Sequence, residues 1–352
     1  GLTGAVAVTV LPGEYPVAET FALGPEDSGQ PGAPVVYRAA EPGRAVFYGG
    51  LRLRDFTPVR DPAVRARLPA ESRDRVWECD LRALGVTNYG ELRVRGFSQP
   101  PSPPTLEVFA DGAPLTPARW PNEGFVRARR VVEPGSARER RPSVFEYDSD
   151  RHARWQGVSN VWLFGYFRYL WADAALPVAA IDPQRRTVTT AEPYNYGGGM
   201  SDQQGLIYYV FNLLEELDAP GEWYLDRARG RLYLYPPAPP DRVRIEIGLW
   251  DQPLAVLRQV AHVRLEGLTF DLARFNGLVL EDCEECVLAG CTVSRLAGNG
   301  ITLEGGRANR VLGCDVHTLG RRGIEVFGGD RATLLPGGHV VENCHIHHIG
   351  RL

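Results

Sequence analysis

Apolar and polar residues alternate along this chain in short runs, and Gly, Asn, Asp or Pro closes almost every run. A period of two over a few residues marks a half-buried strand, and frequent turn residues separate one strand from the next. The pattern predicts an all-β protein.

Near the C-terminus the runs repeat. Glu266-Gly-Leu-Thr-Phe-Asp271, Ala289-Gly-Cys-Thr-Val-Ser294 and Leu312-Gly-Cys-Asp-Val-His317 match at an offset of 23 residues, and Glu342-Asn-Cys-His-Ile-His347 follows after 30. The surplus fits a loop within residues 328–338. A second strand keeps the same step: Asn276-Gly-Leu-Val-Leu-Glu281, Asn299-Gly-Ile-Thr-Leu-Glu304 and Arg322-Gly-Ile-Glu-Val-Phe327. Each unit resembles one coil of a β-solenoid, which buries its apolar face only by stacking on its neighbours. A leucine-rich repeat of similar period needs a regular Leu ladder and a helical segment per unit, and neither is visible.

Residues 51–250 do not repeat and read as hairpins. Leu106 to Leu115 carries Asp111-Gly112, suited to a type I′ turn. Trp223–Leu225 faces Arg231–Tyr235, and Val178–Ile181 faces Thr187–Thr190. Residues 99–104, 134–142 and 194–201 read as loops, and the aromatics of the last either line a sugar site or pack. Before residue 51, Val35–Arg38 and Ala45–Tyr48 look like solenoid strands again. The expected fold class is therefore all-β. It is a right-handed parallel β-helix with initial coils at 1–50, a sandwich- or barrel-like all-β module inserted at 51–250, and the main helix at 251–352. The last turn, His345 to Leu352, shows no cap, so the helix is expected to continue beyond it.

Composition changes this picture little. A formal net charge of -4 provides no general field for nucleic acid or an anionic membrane. No apolar run approaches the roughly 20 residues that span a bilayer. Gly1 opens the chain with no signal-like segment, which fits a trimmed signal, a cytosolic protein or an excised piece alike. All 39 basic residues are Arg, so no lysine base or Schiff-base lysine operates here.

Several segments together resemble a known group. They are Val35-Val-Tyr-Arg-Ala-Ala40, Ala118-Arg-Trp-Pro-Asn122, Gly165-Tyr-Phe-Arg-Tyr-Leu-Trp-Ala-Asp173, Leu217-Asp-Ala-Pro-Gly-Glu-Trp-Tyr-Leu-Asp226, Leu232-Tyr-Leu-Tyr-Pro-Pro237, Gly328-Gly-Asp-Arg331 and Gly338-His-Val-Val-Glu-Asn-Cys344. Over essentially the whole chain they are similar to right-handed parallel β-helix proteins related to glycoside hydrolase family 141. That resemblance implies a carbohydrate-active enzyme for fucosylated pectic glycans or xylan, with acidic catalytic residues on later coils, so that part or all of the catalytic centre is expected beyond this chain. It also implies a secreted or periplasmic protein.

Alternation fixes which residues face outward. Cys291, Cys314 and Cys344 share an inward register with Leu268. The outward rows are Thr269, Thr292, Asp315, His345 and Asp271, Ser294, His317, His347. Asp315 should lie near His345, and His317 near His347, at roughly the 4.8 Å strand spacing. These side chains form a sugar-contacting face or an ordinary solvated one, and the solvated reading weighs more. On the second strand, Glu304 and Glu325 are a diagonal pair of carboxylates with Phe327 beside them for stacking. Retaining glycosidases need about 5–5.5 Å between carboxyl groups and inverting ones about 6.5–9.5 Å. Surface Glu on a strand usually serves solubility alone. Asp330 and Arg331 either brace their loop or let Arg331 fork onto a substrate carboxylate. Cys283-x-x-Cys286 lacks a second ligand pair for zinc, and stacked buried thiols account for it better.

The candidate catalytic residues are thus Glu325 and Glu304, with Asp315, His317, Phe327, Arg331, His345 and His347 for substrate. No metal or cofactor is expected. The expected partner is an oligo- or polysaccharide, with no nucleic acid or membrane, and the chain is expected to be a monomer. The leading reading is a glycoside hydrolase. A polysaccharide lyase acting on uronates by β-elimination, or a non-catalytic glycan-binding or structural solenoid, are the alternatives. Fold alone does not choose among them.

Overall fold

The computed structural model of the chain describes residues 4–97, 105–199 and 205–351. It divides into two compact units, residues 1–52, 103–114 and 246–352 in the first and 53–102 and 115–245 in the second.

Most strands of the first unit form three parallel sheets. Sheet I joins Val6–Val10, Val35–Ala39, Val263–Glu266, Val287–Ala289, Arg310–Leu312 and Val340–Glu342. Sheet II joins Gly13–Pro16, Ala45–Tyr48, Thr269–Ala273, Thr292–Leu296, Asp315–Leu319 and His345–His347. Sheet III joins Phe21–Leu23, Ala255–Arg258, Leu278–Glu281, Ile301–Glu304 and Ile324–Phe327. The chain visits I, II and III in turn, and each strand pairs with its equivalent one repeat later. Thr269 pairs with Thr292 and Thr292 with Asp315; Leu278 pairs with Ile301 and Ile301 with Ile324. The second unit interrupts the second repeat, between Ala45–Tyr48 and Ala255–Arg258.

Inward residues of the three sheets make one core. Leu265, Leu268, Phe270, Leu280, Leu288, Val293, Leu303, Val311, Val316 and Leu319 are buried there together. Cys283, Cys286, Cys291 and Cys314 join them, and all six cysteines are free. Each of the four core thiols points at a carbonyl of the preceding repeat, Cys283 at Leu257 O (3.2 Å) and Cys286 at Val260 O (3.4 Å). They behave as small apolar residues with a weak donor.

The backbone repeats as strictly as the side chains. Left-handed residues recur in four phases: Gln259, Asp282 and Gly305; His262, Glu285 and Ala308; Gly267, Gly290, Gly313 and Asn343; Leu272, Arg295, Thr318 and His348. The third phase, filled by Gly and Asn, follows the residue preference of this conformation throughout, and the fourth does not follow it at Leu272, Arg295 and Thr318.

One hairpin expected inside the inserted module sits in the first unit instead. Val108–Ala110 pairs antiparallel with Ala113–Pro114, and Asp111 and Gly112 both have positive φ, as a type I′ turn requires. Residues 103–114 therefore correct the 51–250 boundary.

Among the described residues the second unit is antiparallel apart from one parallel pair, Thr116–Pro117 with Glu222–Trp223. Its two other predicted hairpins form, Glu222–Asp226 with Arg231–Tyr235 and Ala174–Asp182 with Thr187–Thr190. Phe145, Tyr147, Trp155, Leu163, Phe167 and Tyr208 centre its core. The short helix Pro62–Arg67, capped by Asp61 accepting from Ala63 N, lay outside the sequence expectation. Residues 98–104 and 200–204, which cover all of the predicted loop 99–104 and the end of the one at 194–201, lie outside the described residues. Among the described residues no helix is long and apolar enough to cross a membrane.

Candidate active-site face

The outward side of sheet II gathers the chemistry of the first unit. Parallel pairing sets equivalent residues one strand apart, and alternation keeps every second residue on the same side. Two rows follow, Thr269, Thr292, Asp315, His345 and Asp271, Ser294, His317, His347.

The rows end differently. Towards the N-terminal repeats they are covered, which corrects the expectation of a solvated face. Thr269, Asp271 and Ser294 are buried, and Ser294 Oγ donates to Asp271 Oδ1 at 2.8 Å. Arg295 reaches over them, with Nε 2.9 Å from Asp271 Oδ1, and its fork also binds Asp271 Oδ2 and Glu246. Glu246 is fully buried and accepts from Tyr48 Oη at 3.0 Å and Arg52 Nε at 3.4 Å. Burial works against the Arg295 charge, but Asp271 and Glu246 outweigh it and push its pKa up. Burial beside Glu246 pushes the Tyr48 phenol up as well.

Towards the C-terminal repeats the rows open. Asp315 Oδ1 lies 3.3 Å from His345 Nδ1 and 3.3 Å from His347 Nε2. The His317 and His347 rings stack at 4.9 Å and 12°, and those of His345 and His347 at 4.1 Å and 29°. His347 Nδ1 faces His348 Nδ1 at 2.6 Å. Burial lowers the His317 pKa, against the pull of Asp315. Arg351 donates to Glu107 through Nη1 at 2.6 Å and to the Thr318 carbonyl of sheet II through Nη2 at 3.2 Å.

The other candidate residues lie elsewhere. Glu304, Glu325 and Phe327 project from sheet III, so the structure does not place them in one row with Asp315 and the histidines. Glu304 pairs in register with Phe327, and Glu325 with Thr302, so the two carboxylates are diagonal. Glu325 accepts from Asn299 Nδ2 at 2.9 Å and pairs with Arg322. Phe327 is exposed. Asp330 braces its own loop through Ala332 N (2.8 Å) and Thr333 Oγ1 (2.7 Å), not through Arg331, which is exposed.

No family model and no curated protein matches the chain. A solved structure described as "Glycoside hydrolase" is similar over 99% of this chain, with a TM-score of 0.70 and 15% identity. The likeness is one of fold. This chain spans 66% of that protein's length. A second structure, "The complex structure of XylC with xylose", aligns over 97% of this chain at 11% identity with a TM-score of 0.36.

In the second unit, the segments that carry the family resemblance act as structural braces. Glu222 accepts backbone amides from Arg119, Asp218 and Ala219 at 3.0–3.3 Å, and burial still pushes it up to about 7. Asn122 Nδ2 donates to Asp218 Oδ1 at 2.8 Å. Buried Glu216 receives Arg151 Nε and Trp155 Nε1, each at 2.7 Å. His152 is buried between Tyr147, on which it stacks at 3.9 Å, and the Tyr208 hydroxyl at 2.7 Å, and burial lowers it to about 4. An open groove of about 640 Å³ is lined by Arg67, Arg73, Arg154 and Glu215 among others. Around the predicted aromatic loop, Tyr194 is buried with its hydroxyl on Ala172 O, while Tyr196 meets the exposed Trp171 at 5.5 Å.

Proposed function

We propose that this chain is part of a carbohydrate-active enzyme of the glycoside hydrolase kind, built on a right-handed parallel β-helix. The proposed substrate is a plant-cell-wall-type glycan, a fucosylated pectic glycan or xylan. The observation that carries this reading is the fold likeness to a solved glycoside hydrolase over nearly the whole chain, together with the polar rows of sheet II. Asp315, His317, His345 and His347 stand where an extended sugar chain could lie across successive repeats and meet a donor or acceptor on each. Glu304 and Glu325 are the proposed carboxylate pair, with Asn299 and Arg322 fixing the orientation of Glu325. Phe327 offers an exposed ring beside them, and Arg331 a free guanidinium on the following loop. The reading also carries a secreted or periplasmic location.

The test is a panel of fucosylated pectic oligosaccharides, xylan and polyuronates, scored for released sugar and for ultraviolet absorbance. It uses this chain and any longer product of the same gene. Sugar release, lost in Glu325→Gln or Asp315→Asn, supports the hydrolase. Absorbance from an unsaturated product without sugar release replaces it with a lyase. Binding without turnover in every form leaves a glycan-binding solenoid and ends the enzyme reading.

A further inference from the structure

We infer that Asp315, His345 and His347 form a three-ligand site for a divalent transition-metal ion of the zinc type, with a fourth position open. The inference rests on these side chains and not on the glycan reading.

Three features of the trio point to a metal. The first is spacing. A tetrahedral ion with bonds of about 2.0–2.1 Å to nitrogen and oxygen sets its ligand atoms about 3.3–3.4 Å apart. Asp315 Oδ1 is 3.3 Å from His345 Nδ1 and 3.3 Å from His347 Nε2. All three atoms lie within 4.8 Å of one another.

The second is an unmet need. Asp315 Oδ1 is shielded from solvent and has no hydrogen-bond donor in proper geometry, although two imidazole nitrogens flank it. A shielded carboxylate oxygen without a partner is costly. A cation between it and the two nitrogens removes that cost.

The third is the outer shell. A metal-bound imidazole usually donates its other N–H to a fixed acceptor, which sets its tautomer. His347 Nδ1 meets His348 Nδ1 at 2.6 Å, so His347 can donate there while Nε2 stays a lone-pair ligand. The His317 ring stacked on His347 at 4.9 Å holds its plane.

Register makes this trio. Asp315 and His345 are parallel-strand partners, and His347 is two residues further along the same side. One carboxylate and two imidazoles suit zinc, cobalt(II) or nickel(II) better than calcium or magnesium, which prefer all-oxygen sets. Three protein ligands leave a coordination position for water or a sugar hydroxyl.

Cobalt(II) titrated into the whole, untagged chain at pH 7 tests this directly. The expected result is one equivalent bound with the intense visible absorption of a tetrahedral site, displaced by zinc. Asp315→Asn, His347→Gln and His345→Ala should each weaken binding at least 10–100-fold, the cost of disturbing even an outer-shell partner. His345 is exposed, so its alanine variant should fold, and melting curves check the others. His262→Gln, in the same unit beside Glu285, should bind as wild type. Absence of binding, or binding unchanged in the trio variants, overturns the site. The glycan panel can fail while this titration succeeds, and the reverse.

Discussion

Arg295 and Asp271 form a forked ion pair across adjacent strands of sheet II, with both side chains almost withdrawn from solvent, 12% and 10% exposed. The same guanidinium also neutralises Glu246, whose side chain is entirely buried. Asp271 therefore depends on this cation, and Glu246 shares it with Arg52, whose Nε lies 3.4 Å from its Oε1. Breaking a buried pair leaves an uncompensated charge and costs about 3–5 kcal/mol. Arg295→Met should lower the first thermal transition by on the order of 10 °C. Arg295→Lys should recover only part of the loss, because an ammonium cannot fork onto Asp271 while reaching Glu246. Calorimetry of the two variants decides it, and wild-type melting in the lysine variant counts against a forked requirement.

The second unit holds two buried groups with opposite pH dependence. His152 is lowered to about 4, below its unfolded value of 6.5, so its contribution is complete above pH 6.5 and is lost as pH falls towards 4. Glu222 is raised to about 7, above its unfolded value of 4.5, so its contribution is complete below pH 4.5 and is lost as pH rises towards 7. Between about pH 4.5 and 6.5 the two slopes oppose each other. Glu222→Gln removes one of them, and stability should then fall on acidification by up to about 3 kcal/mol. Denaturant melts of wild type and variant at pH 7, 5.5 and 4.5 test this. Parallel curves for the two proteins would show that Glu222 does not titrate in this range.

Glycines of the repeat differ in what they are for. Gly290 has φ +59° and open space where a Cβ would stand, so Gly290→Ala costs only the left-handed penalty, about 1–2 kcal/mol. Gly306 has φ +65°, and a Cβ there would run into the Cys283 carbonyl of the preceding repeat. Gly306→Ala must therefore separate two stacked strands as well. Its loss of stability should exceed that of Gly290→Ala by at least about 1–3 kcal/mol, the usual range for overpacking. Equal effects would mean the stack yields at that turn.

These contrasts explain what the sequence could and could not disclose. The strand registers were legible because apolar residues recur at a fixed offset, and pairing at Thr269, Thr292 and Asp315 follows from that alone. Gly267, Gly290 and Gly313 recur at the same offset, and the structure gives all three the left-handed backbone that Gly tolerates. The phase at Leu272, Arg295 and Thr318 was not legible, because neighbours and not residue preference impose it. It carries Arg295, so the buried ionic cluster was hidden too. Its partner Glu246, like the Glu107 that binds Arg351 from 244 residues away, belongs to no repeat, and no local pattern announces it. Sheet membership separated Glu325 from His347, although the same alternation rule described both.

Glu325 offers the sharpest division between support and chemistry. Its two partners, Asn299 Nδ2 and Arg322, would hold any carboxylate in place on sheet III, and Arg322 is 68% exposed. An exposed pair of this kind contributes about 0–1 kcal/mol. Glutamine at 325 keeps an oxygen for Asn299 and loses only the charge, so Glu325→Gln should melt within a few degrees of wild type. A positioned acid or base contributes about 10²–10⁴-fold to turnover. In a form active on the glycan panel, Glu325→Gln should therefore lose at least 100-fold in kcat with its melting point nearly unchanged. Glu304→Gln should show the same signature if the two act as a pair, and the stereochemistry of the released sugar then reports their separation. Full turnover in both variants would make them surface charges and move the search for the acids to the face that carries Asp315.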